Sequence, residues 1–311
     1  MKKWNQAMTV NGPVDGGALG VTYVHEHLMV KPQSDDPRFL DYTLQDEAAS
    51  RREAESFRQA GGNTIVEMTP IHYGRNAEAC RHIAQEAGIR VVCCTGFHKQ
   101  EFLPPWFEEK TEAELYDLLL DEIENGLDGT GIRPGVVKLG TSLNTVTPDE
   151  ERSIRLAARA HLETGIPIST HCDKGTMGME QLRRLEKLGV DPAEVLLCHI
   201  DSKMDTQYAI ELCRAGATIC IDHIGRELAD HDSFRVRMIV DLLEAGCLDH
   251  VCLSGDMGKV NYLPAYGGTP GLAYILTGLK RELLRYLSEE DFHRMVAENP
   301  QRVLTGGAAG K

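Results

Sequence analysis

Short apolar runs rich in β-branched residues recur along the chain, and most of them follow an amphipathic stretch that ends in a glycine. A glycine in this place suits the left-handed residue that commonly ends a helix, and a short apolar run bounded by turns suits a strand buried on both faces. Eight strands are predicted on this basis, over residues 21–24, 63–67, 89–93, 136–138, 166–170, 194–198, 217–221 and 250–254.

Helix starts fall between these strands. A Thr or Ser stands three residues before an acidic residue, as in a capping box, at 43–46, 111–114, 147–150 and 288–291. Pro148 occupies the favoured first position of its helix. Eight strands alternating with helices over 311 residues indicate an α/β protein with a single (β/α)8 TIM barrel. An open doubly wound sheet is the alternative, but the glycine-rich nucleotide-binding motifs of such folds are missing from the sequence.

The pattern runs through the whole chain without a low-complexity linker, so residues 1–311 are predicted to form one domain. Residues 1–18 are predicted to form a β-hairpin that leads into the barrel over one of its ends. The nine cysteines contain no Cys-x-x-Cys pair, and several lie in apolar runs, where a thiol acts as a small hydrophobe. We therefore expect reduced thiols rather than a disulfide framework or a structural zinc site.

Charge narrows the range of partners. The 33 Lys and Arg residues are outnumbered by 47 Asp and Glu residues, which gives a formal net charge of −14. Nucleic acids and membrane surfaces are bound by clustered cations, so neither is expected as a partner. The sequence contains no apolar run of about 18 residues and no apolar signal segment, so we expect a cytoplasmic protein. Whether it forms a homo-oligomer is left open.

The candidate chemistry lies at the ends of the predicted strands. His25 and His27 follow the first strand, His171 the fifth, His199 the sixth and Asp256 the eighth. In (β/α)8 barrels the active site is built at the carboxyl ends of the strands. Each signal is weak alone, because strand-end histidines and aspartates are often structural. Their convergence nevertheless predicts a site for zinc or a similar divalent ion, since imidazole and carboxylate are its usual ligands.

Lys138 lies in an apolar run within the fourth predicted strand. Such a lysine is commonly an edge residue whose amine reaches water. Burial instead favours the neutral amine, which can add carbon dioxide to give a carbamate. A carbamate offers two oxygens, which suits a bridge between two metal ions about 3.5–4 Å apart. We therefore predict N6-carboxylated Lys138 between two divalent ions, with zinc first and manganese or cobalt as alternatives.

Taken together, these residues resemble the phosphotriesterase family of the amidohydrolase superfamily. The likeness covers about residues 8–304 and includes motifs beyond the ligands, such as Thr95-Gly96 and the segment 298–302. From His171 onward the chain is most similar to the phosphotriesterase homology protein subgroup, as segments 168–171 and 177–182 indicate. Some members of that subgroup carry Glu in place of Lys138, and Glu can also supply a bridging oxygen.

The resemblance implies a binuclear metal-dependent hydrolase with divided roles. One ion, the more buried, would be held by His25, His27 and Asp256. His171 and His199 would hold the more exposed ion, and carboxylated Lys138 would bridge the two. A hydroxide shared by the ions would attack the substrate, and Asp256 would take up the proton.

Two further groups of residues extend this interpretation. His223, after the seventh strand, is predicted to pass the proton outward; Asp201 is a candidate partner, although the relay aspartate of the family is offset from it by one residue. Arg226, Lys259 and Tyr262 lie on the loops after the seventh and eighth strands and are predicted to bind a phosphate or carboxylate of the substrate. In the resembling subgroup that hydrolyses phosphorylated sugar lactones, an Arg or Lys and a Tyr occupy the last two positions.

Three functions remain open at this stage. The first is a binuclear hydrolase of a lactone or carboxylic ester, with a phosphorylated sugar lactone as a candidate small-molecule substrate. The second is a phosphotriester or phosphoester hydrolase with the same metal centre. The third is a non-catalytic barrel that binds metal.

Overall fold

The computed structural model describes residues 6–34, 36–226 and 229–306. An antiparallel hairpin comes first, formed by β1 (Gln6–Thr9) and β2 (Gly12–Asp15). The eight strands that follow are β3 (Thr22–Glu26), β4 (Thr64–Glu67), β5 (Arg90–Gly96), β6 (Val136–Thr141), β7 (Ile168–Cys172), β8 (Val195–Cys198), β9 (Thr218–Ile221) and β10 (Val251–Leu253). They pair in parallel in chain order and form a nearly closed barrel. The predicted barrel, its eight strands and the leading hairpin are confirmed.

Helices follow the strands and surround the barrel. They are α1 (Glu47–Gln59), α2 (Ala77–Ala87), α3 (Glu112–Asn125), α4 (Pro148–Thr164), α5 (Gly178–Lys187), α6 (Thr206–Arg214), α7 (Ala229–Glu244), α8 (Lys280–Leu283), α9 (Glu289–His293) and α10 (Asn299–Thr305). A π-helical segment precedes α8 (Ile275–Leu279), and another joins α9 to α10 (Arg294–Glu298). The capping boxes predicted at Thr111, Thr147 and Ser288 are confirmed. Within the described ranges, none of the helices has both the length and the apolar character needed to cross a bilayer.

The capping box predicted at 43–46 is wrong. Helix α1 begins one residue after Asp46, whose carboxylate accepts the backbone N–H of Ala49 at 3.0 Å. The backbone of Leu44 pairs instead with Val30 in an antiparallel bridge, with N···O distances of 2.9 and 3.1 Å. Since Leu44 is fully buried in this extended conformation, the chain cannot become helical before Asp46.

The barrel interior is apolar at the level below the strand ends. Its side chains form two buried clusters, to which the hairpin contributes Ala7 and α10 contributes Val303 and Leu304. Asn299, at the start of α10, donates hydrogen bonds to the carbonyls of Leu248 (2.8 Å) and Val251 (2.7 Å), next to the beginning of β10. The hairpin and α10 therefore cover the amino-terminal end of the strands. The carboxyl-terminal end is left to the loops that carry the predicted chemistry. All nine cysteines are buried free thiols, as expected.

The sheet order begins at β3 and ends at β10, and polar groups join these two strands. The carboxylate of Glu26 accepts the backbone N–H groups of Gly255 (2.5 Å) and Met257 (2.9 Å). The backbone N–H of Asp256 donates to the carbonyl of His25 at 3.1 Å. Burial raises the pKa of Glu26 to about 7, against the opposing effect of these backbone donors. This junction between β3 and β10, the seam of the barrel, thus lies beside two predicted metal ligands, His25 and Asp256.

Candidate metal centre

A cavity of about 600 Å³ opens at the carboxyl ends of the barrel strands. The side chains predicted to bind metal all line it, namely His25, His27, Lys138, His171, His199 and Asp256. The residues predicted to move a proton or bind substrate line it as well, namely His223, Arg226, Lys259 and Tyr262. The strand-end positions therefore converge on one space, as the barrel topology requires.

Three of these side chains form the tightest group. The ligand atoms of His25, His199 and Asp256 all lie within 4.8 Å of one another. His27 joins them through Asp256, with 3.0 Å between its Nε2 and the carboxylate Oδ1. The ring of His171 lies 4.5 Å from the ring of His199, measured between centroids. Imidazoles and a carboxylate at this spacing are a donor set for divalent ions such as zinc.

Backbone conformation helps to aim two of these side chains. His199 has φ 66° and Asp256 has φ 46°, both in the left-handed region that residues other than glycine seldom adopt. His199 comes directly after β8 and Asp256 three residues after β10, so the chain turns sharply close to where each ligand leaves the sheet. Such strain is concentrated at functional sites, where the surrounding structure maintains it.

Lys138 extends from β6 into the same cavity and is 1% exposed. Its Nζ donates a hydrogen bond to the carbonyl of Met68 at 2.7 Å. Burial, and then the positive charge of Lys138, lowers the pKa of His25 well below its usual value. Gly96 allows β5 to approach, since it has φ 97° and a Cβ there would overlap the backbone carbonyl of Lys138. Lys138 therefore lines the same cavity as the predicted histidine ligands.

The hydrogen-bond partners of His27 fix its tautomer. Its Nδ1 lies 2.7 Å from the hydroxyl of Thr69, and that hydroxyl donates its single proton to the carboxylate of Glu67. Thr69 must therefore accept the Nδ1–H of His27, which leaves Nε2 to face the cavity. Glu67 is held in turn by the backbone N–H groups of Leu28 and Met29. Burial opposes a charge on His27, but the neighbouring carboxylates of Asp256 and Glu67 raise its pKa to about 9, so a metal ion at Nε2 would take the place of a proton.

A comparable arrangement orients His199. Its Nδ1 lies 2.9 Å from Oδ1 of the buried Asp222. Burial raises the pKa of the Asp222 carboxyl, the charges of Asp201 and Asp256 raise it further, and those of His223 and Arg226 oppose the rise. With Nδ1 donating to Asp222, Nε2 of His199 is free to bind a metal.

Ring nitrogens that have no hydrogen-bond partner indicate whether these residues could bind metal ions. Among the residues that the structure describes, the buried Nε2 of His171 has no hydrogen-bond partner. An orphaned imidazole nitrogen of this kind is costly unless something binds it. Together with the cavity-facing Nε2 atoms of His27 and His199, it supplies the donors that a metal centre needs, so the residues present fit the implied ions.

Asp256 is contacted from several sides. Its Oδ1 faces His27, and its Oδ2 accepts a hydrogen bond from Arg226 and lies 3.5 Å from Nε2 of His223. Burial alone would raise the pKa of Asp256, but Arg226, His223 and His27 together hold it well below its usual value. The carboxylate is therefore ionised and available as a ligand.

The predicted partner of His223 is replaced by its neighbour. Asp201 makes an ion pair with Arg235 of α7, at 2.6 Å between Oδ2 and Nε. Nδ1 of His223 instead forms a hydrogen bond with the hydroxyl of Ser202. A 3₁₀ turn over Ile200–Lys203 separates the directions of the two side chains, so Ser202 is the residue next to His223.

Lys259 and Tyr262 lie side by side on the loop after β10. The Nζ of Lys259 is 4.4 Å from the centroid of the Tyr42 ring and 5.8 Å from that of Tyr262. Arg226 lies over the other ring, with Cζ 5.1 Å from the Tyr262 centroid. In the part of the chain that the structure describes, no carboxylate lies within ion-pair distance of Lys259, whereas Arg226 is paired with Asp256. The predicted substrate-binding residues are therefore adjacent. Of the two cations, Lys259 has no carboxylate partner among the described residues.

Another part of the cavity lining, here called the aromatic wall, consists of aromatic rings that no sequence motif predicted. Phe102 is central to it, with ring centroids 5.0 Å from Phe39, 5.0 Å from Tyr73 and 4.8 Å from His98. Tyr42 extends this wall toward Lys259. These rings come from loops that are distant in sequence, so no local motif marks them.

Comparisons with known proteins agree with this geometry. The profile of the phosphotriesterase family matches residues 5–304. A crystal structure of a lactonase from Listeria monocytogenes superposes with a TM-score of 0.91 at 31% identity, covering 98% of this chain and all of that one. The phosphotriesterase homology protein of Escherichia coli, solved with phosphate in its active site, has a TM-score of 0.88 at 35% identity, over 92% of this chain and 99% of that one.

A third relative is known by its activity. The phospho-furanose lactonase of Mycoplasmopsis synoviae is 29% identical over 96% of this chain and 91% of its own length. The family match spans nearly all of the chain, and the matched segment includes every residue placed in the cavity above. The protein therefore belongs to the phosphotriesterase family of metal-dependent hydrolases.

Proposed function

We propose that this chain, over residues 1–311, is a single-domain binuclear metal hydrolase that opens lactones, with a phosphorylated sugar lactone as the preferred substrate class. The observation that carries the proposal is that the histidine and carboxylate cluster lines the same cavity as Lys259, a cation with no carboxylate partner among the described residues. The lactonase names of two relatives and the phosphate bound in a third support the same direction.

The family resemblance assigns the donors to two metal positions. His25, His27 and Asp256 would hold one ion, His171 and His199 would hold the other, and carboxylated Lys138 would lie between them. Zinc is the first candidate, and manganese and cobalt are the alternatives. When bound, the two ions polarise the carbonyl of the substrate and lower the pKa of water so that it can act as a nucleophile near neutral pH.

The protein's own residues move the proton and orient the substrate. Asp256 accepts the proton of the nucleophile and returns it to the leaving alkoxide of the opened lactone. His223, 3.5 Å from Asp256, passes to solvent through Ser202 the proton released when the next water is ionised to regenerate the nucleophile. Proton transfer by positioned groups typically contributes about 10²–10⁴-fold in rate.

Anion recognition is assigned to Lys259, Tyr262 and Arg226. Lys259 and the Tyr262 hydroxyl bind the phosphate of the substrate, because this cation is not neutralised by a carboxylate among the described residues. Arg226 lies between this group and Asp256, so it can bring the anionic end of the substrate into register with the reacting carbonyl. The buried free thiols fit the reducing cytoplasm as the place where the enzyme works.

A phosphotriester hydrolase with the same metal centre is the second candidate. The aromatic wall formed by Phe39, Tyr42, Tyr73 and Phe102 favours it, since apolar ester substituents could pack there. The free Lys259 argues against it as the main activity, because a phosphotriester carries no charge for that cation to bind.

Substrate profiling of the zinc-loaded protein tests the proposal. We expect about two zinc ions per chain and the highest kcat/KM for phosphorylated aldonolactones, with plain aldonolactones slower and a phosphotriester slowest. Hydrolysis of the phosphotriester alone would establish the second candidate. Less than one metal ion per chain without hydrolysis of any substrate would indicate a non-catalytic barrel.

A further inference from the structure

Asp222 is a fully buried carboxylate, and its contacts extend beyond the His199 ring described above. It follows β9 directly, and its side chain is 0% exposed. It does not line the cavity, although the described residues on either side of it in space, His25 and His199, both do. A buried carboxylate is costly unless hydrogen-bond donors surround it, so its contacts indicate its role.

One set of contacts comes from His199. The backbone N–H of His199 lies 2.9 and 3.1 Å from the two oxygens of Asp222, and its ring Nδ1 lies 2.9 Å from Oδ1. A carboxylate can only accept hydrogen bonds, so the Nδ1 of His199 carries the proton. These contacts fix both the left-handed backbone of His199 and the orientation of its ring. His199 is a predicted ligand of the more exposed ion.

The other set involves His25. Its Nε2 faces Asp256 at 3.6 Å, on the cavity side. Its Nδ1 is buried, without a hydrogen-bond partner among residues 6–34, 36–226 and 229–306, and lies 3.8 Å from Oδ2 of Asp222. An imidazole has only these two nitrogens, so Asp222 is the acceptor toward which the unpartnered one is directed.

A direct metal-ligand role for Asp222 fits the contacts less well. Ligand atoms of His25, Cys198 and Asp222 do lie within 4.8 Å of one another. However, both oxygens of Asp222 already accept hydrogen bonds from His199. Cys198 belongs to the apolar interior cluster below the cavity, where an ion would have no access to water or substrate.

We infer that Asp222 is a positioning residue that accepts the Nδ1–H of both His25 and His199 and so directs both Nε2 atoms into the cavity. These histidines belong to different ions in the proposed function, on which this inference rests. One carboxylate would then set the orientation of a ligand at each metal position. Replacing it should weaken both positions together rather than one of them.

The test compares Asp222→Asn with a matched change at a distance. Glu53 of α1 is also a buried carboxylate, and it accepts the backbone N–H of Ala265 at 2.6 Å, away from the cavity. Wild-type protein, Asp222→Asn and Glu53→Gln are titrated with zinc against a chelator, and their cobalt forms are compared by visible absorption. We expect Asp222→Asn to lower the affinity for both ions by about 10–100-fold and to change the cobalt spectrum. Glu53→Gln should match the wild type in both measurements.

Two results separate this inference from the proposed function. If the wild type binds two ions and Asp222→Asn binds them with the same affinity and spectrum, the positioning role is refuted while the metal centre stands. If the wild type binds no metal, the proposed function fails and the inference fails with it.

A crystal structure of the zinc-loaded wild type provides a check that does not depend on the variant folding. We expect Asp222 within hydrogen-bond distance of Nδ1 of both His25 and His199, with zinc on the Nε2 atoms. Zinc bound to the Asp222 carboxylate, or another partner on Nδ1 of His25, would overturn the inference.

Discussion

The guanidinium of Arg226 donates a hydrogen bond to the carboxylate of Asp256 while its Cζ lies 5.1 Å from the centre of the Tyr262 ring. Arg226 thus connects a predicted metal ligand with the loop predicted to bind substrate. Lys259 lies on that loop, with its ammonium 4.4 Å from the centre of the Tyr42 ring and no described carboxylate within ion-pair distance. The two cations therefore affect different parts of the reaction.

Lys259→Met should selectively impair anionic substrates. We expect kcat/KM for a phosphorylated aldonolactone to fall about 10–100-fold, the equivalent of a charged hydrogen bond worth about 1.5–3 kcal/mol. The value for the corresponding plain lactone should stay near that of the wild type. Arg226→Met is the comparison, because it removes a contact to Asp256 and should lower kcat on both substrates. Equal losses on both lactones for Lys259→Met would contradict an anion-binding role.

Thr69→Val should weaken metal binding without changing the cavity's volume greatly. The hydroxyl of Thr69 accepts the Nδ1–H of His27 and donates to Glu67, so its loss frees the imidazole to change tautomer. We expect zinc affinity to fall about 10–100-fold in a chelator competition. Thr69→Ser keeps the hydroxyl and should retain most of the affinity. Wild-type affinity in Thr69→Val, or an equally large loss in Thr69→Ser, would contradict a role for the hydrogen bond.

Lys138→Met should lose the bridging ligand, whereas Lys138→Glu should keep a carboxylate in its place. Lys138 is buried and lines the cavity with the histidines, so water cannot readily take the place of its side chain when Met is introduced. We expect fewer than two metal ions per chain in Lys138→Met and close to two in Lys138→Glu. Wild-type protein loaded in ¹³C-labelled bicarbonate should give a carbamate carbon signal by NMR. That signal should be missing from both variants, and its absence from the metal-loaded wild type would refute carboxylation.

Arg75→Met should destabilise the fold away from the cavity. Arg75 is paired with the buried Glu122 of α3 and, at 2.8 Å, with the half-exposed Asp128. The carboxylate of Glu122 also accepts a hydrogen bond from the hydroxyl of Thr95 on β5. Without Arg75, this buried carboxylate would lose its cationic partner. We expect the free energy of unfolding to fall by about 3–5 kcal/mol in urea denaturation. Asp128→Asn removes only the exposed partner and should cost less than about 1 kcal/mol; a similar loss in the two variants would argue against a buried-charge effect.

The rule that active-site residues lie at the carboxyl ends of the barrel strands was enough to predict one cavity from eight apolar runs. It works because parallel strands of a closed barrel place their carboxyl ends around one axis, so His25, Lys138 and Asp256 needed no local motif to be brought together. The same rule could have found Glu67, the last residue of β4, and Asp222, the first after β9. They were missed because an acidic residue beside a strand is equally typical of a turn.

Other features had no signal in the sequence. The contact between Thr69 and His27 joins residues that follow two neighbouring strands, and it depends on side-chain directions that spacing alone does not determine. A difference of one position separated Asp201 from Ser202, and the 3₁₀ turn between strand and helix decided which of them contacts His223. At 43–46, the β-bridge between Leu44 and Val30 overrides the local preference for a capping box.

The seam between β3 and β10 has a consequence for how the protein matures. Glu26 and Met257, which it joins, are 231 positions apart in the chain. During synthesis on the ribosome, His25 and His27 emerge early, but their carboxylate partner Asp256 is among the last elements of the barrel to appear. A nascent chain therefore cannot assemble the full set of donors, so metal insertion belongs after translation of the eighth barrel strand.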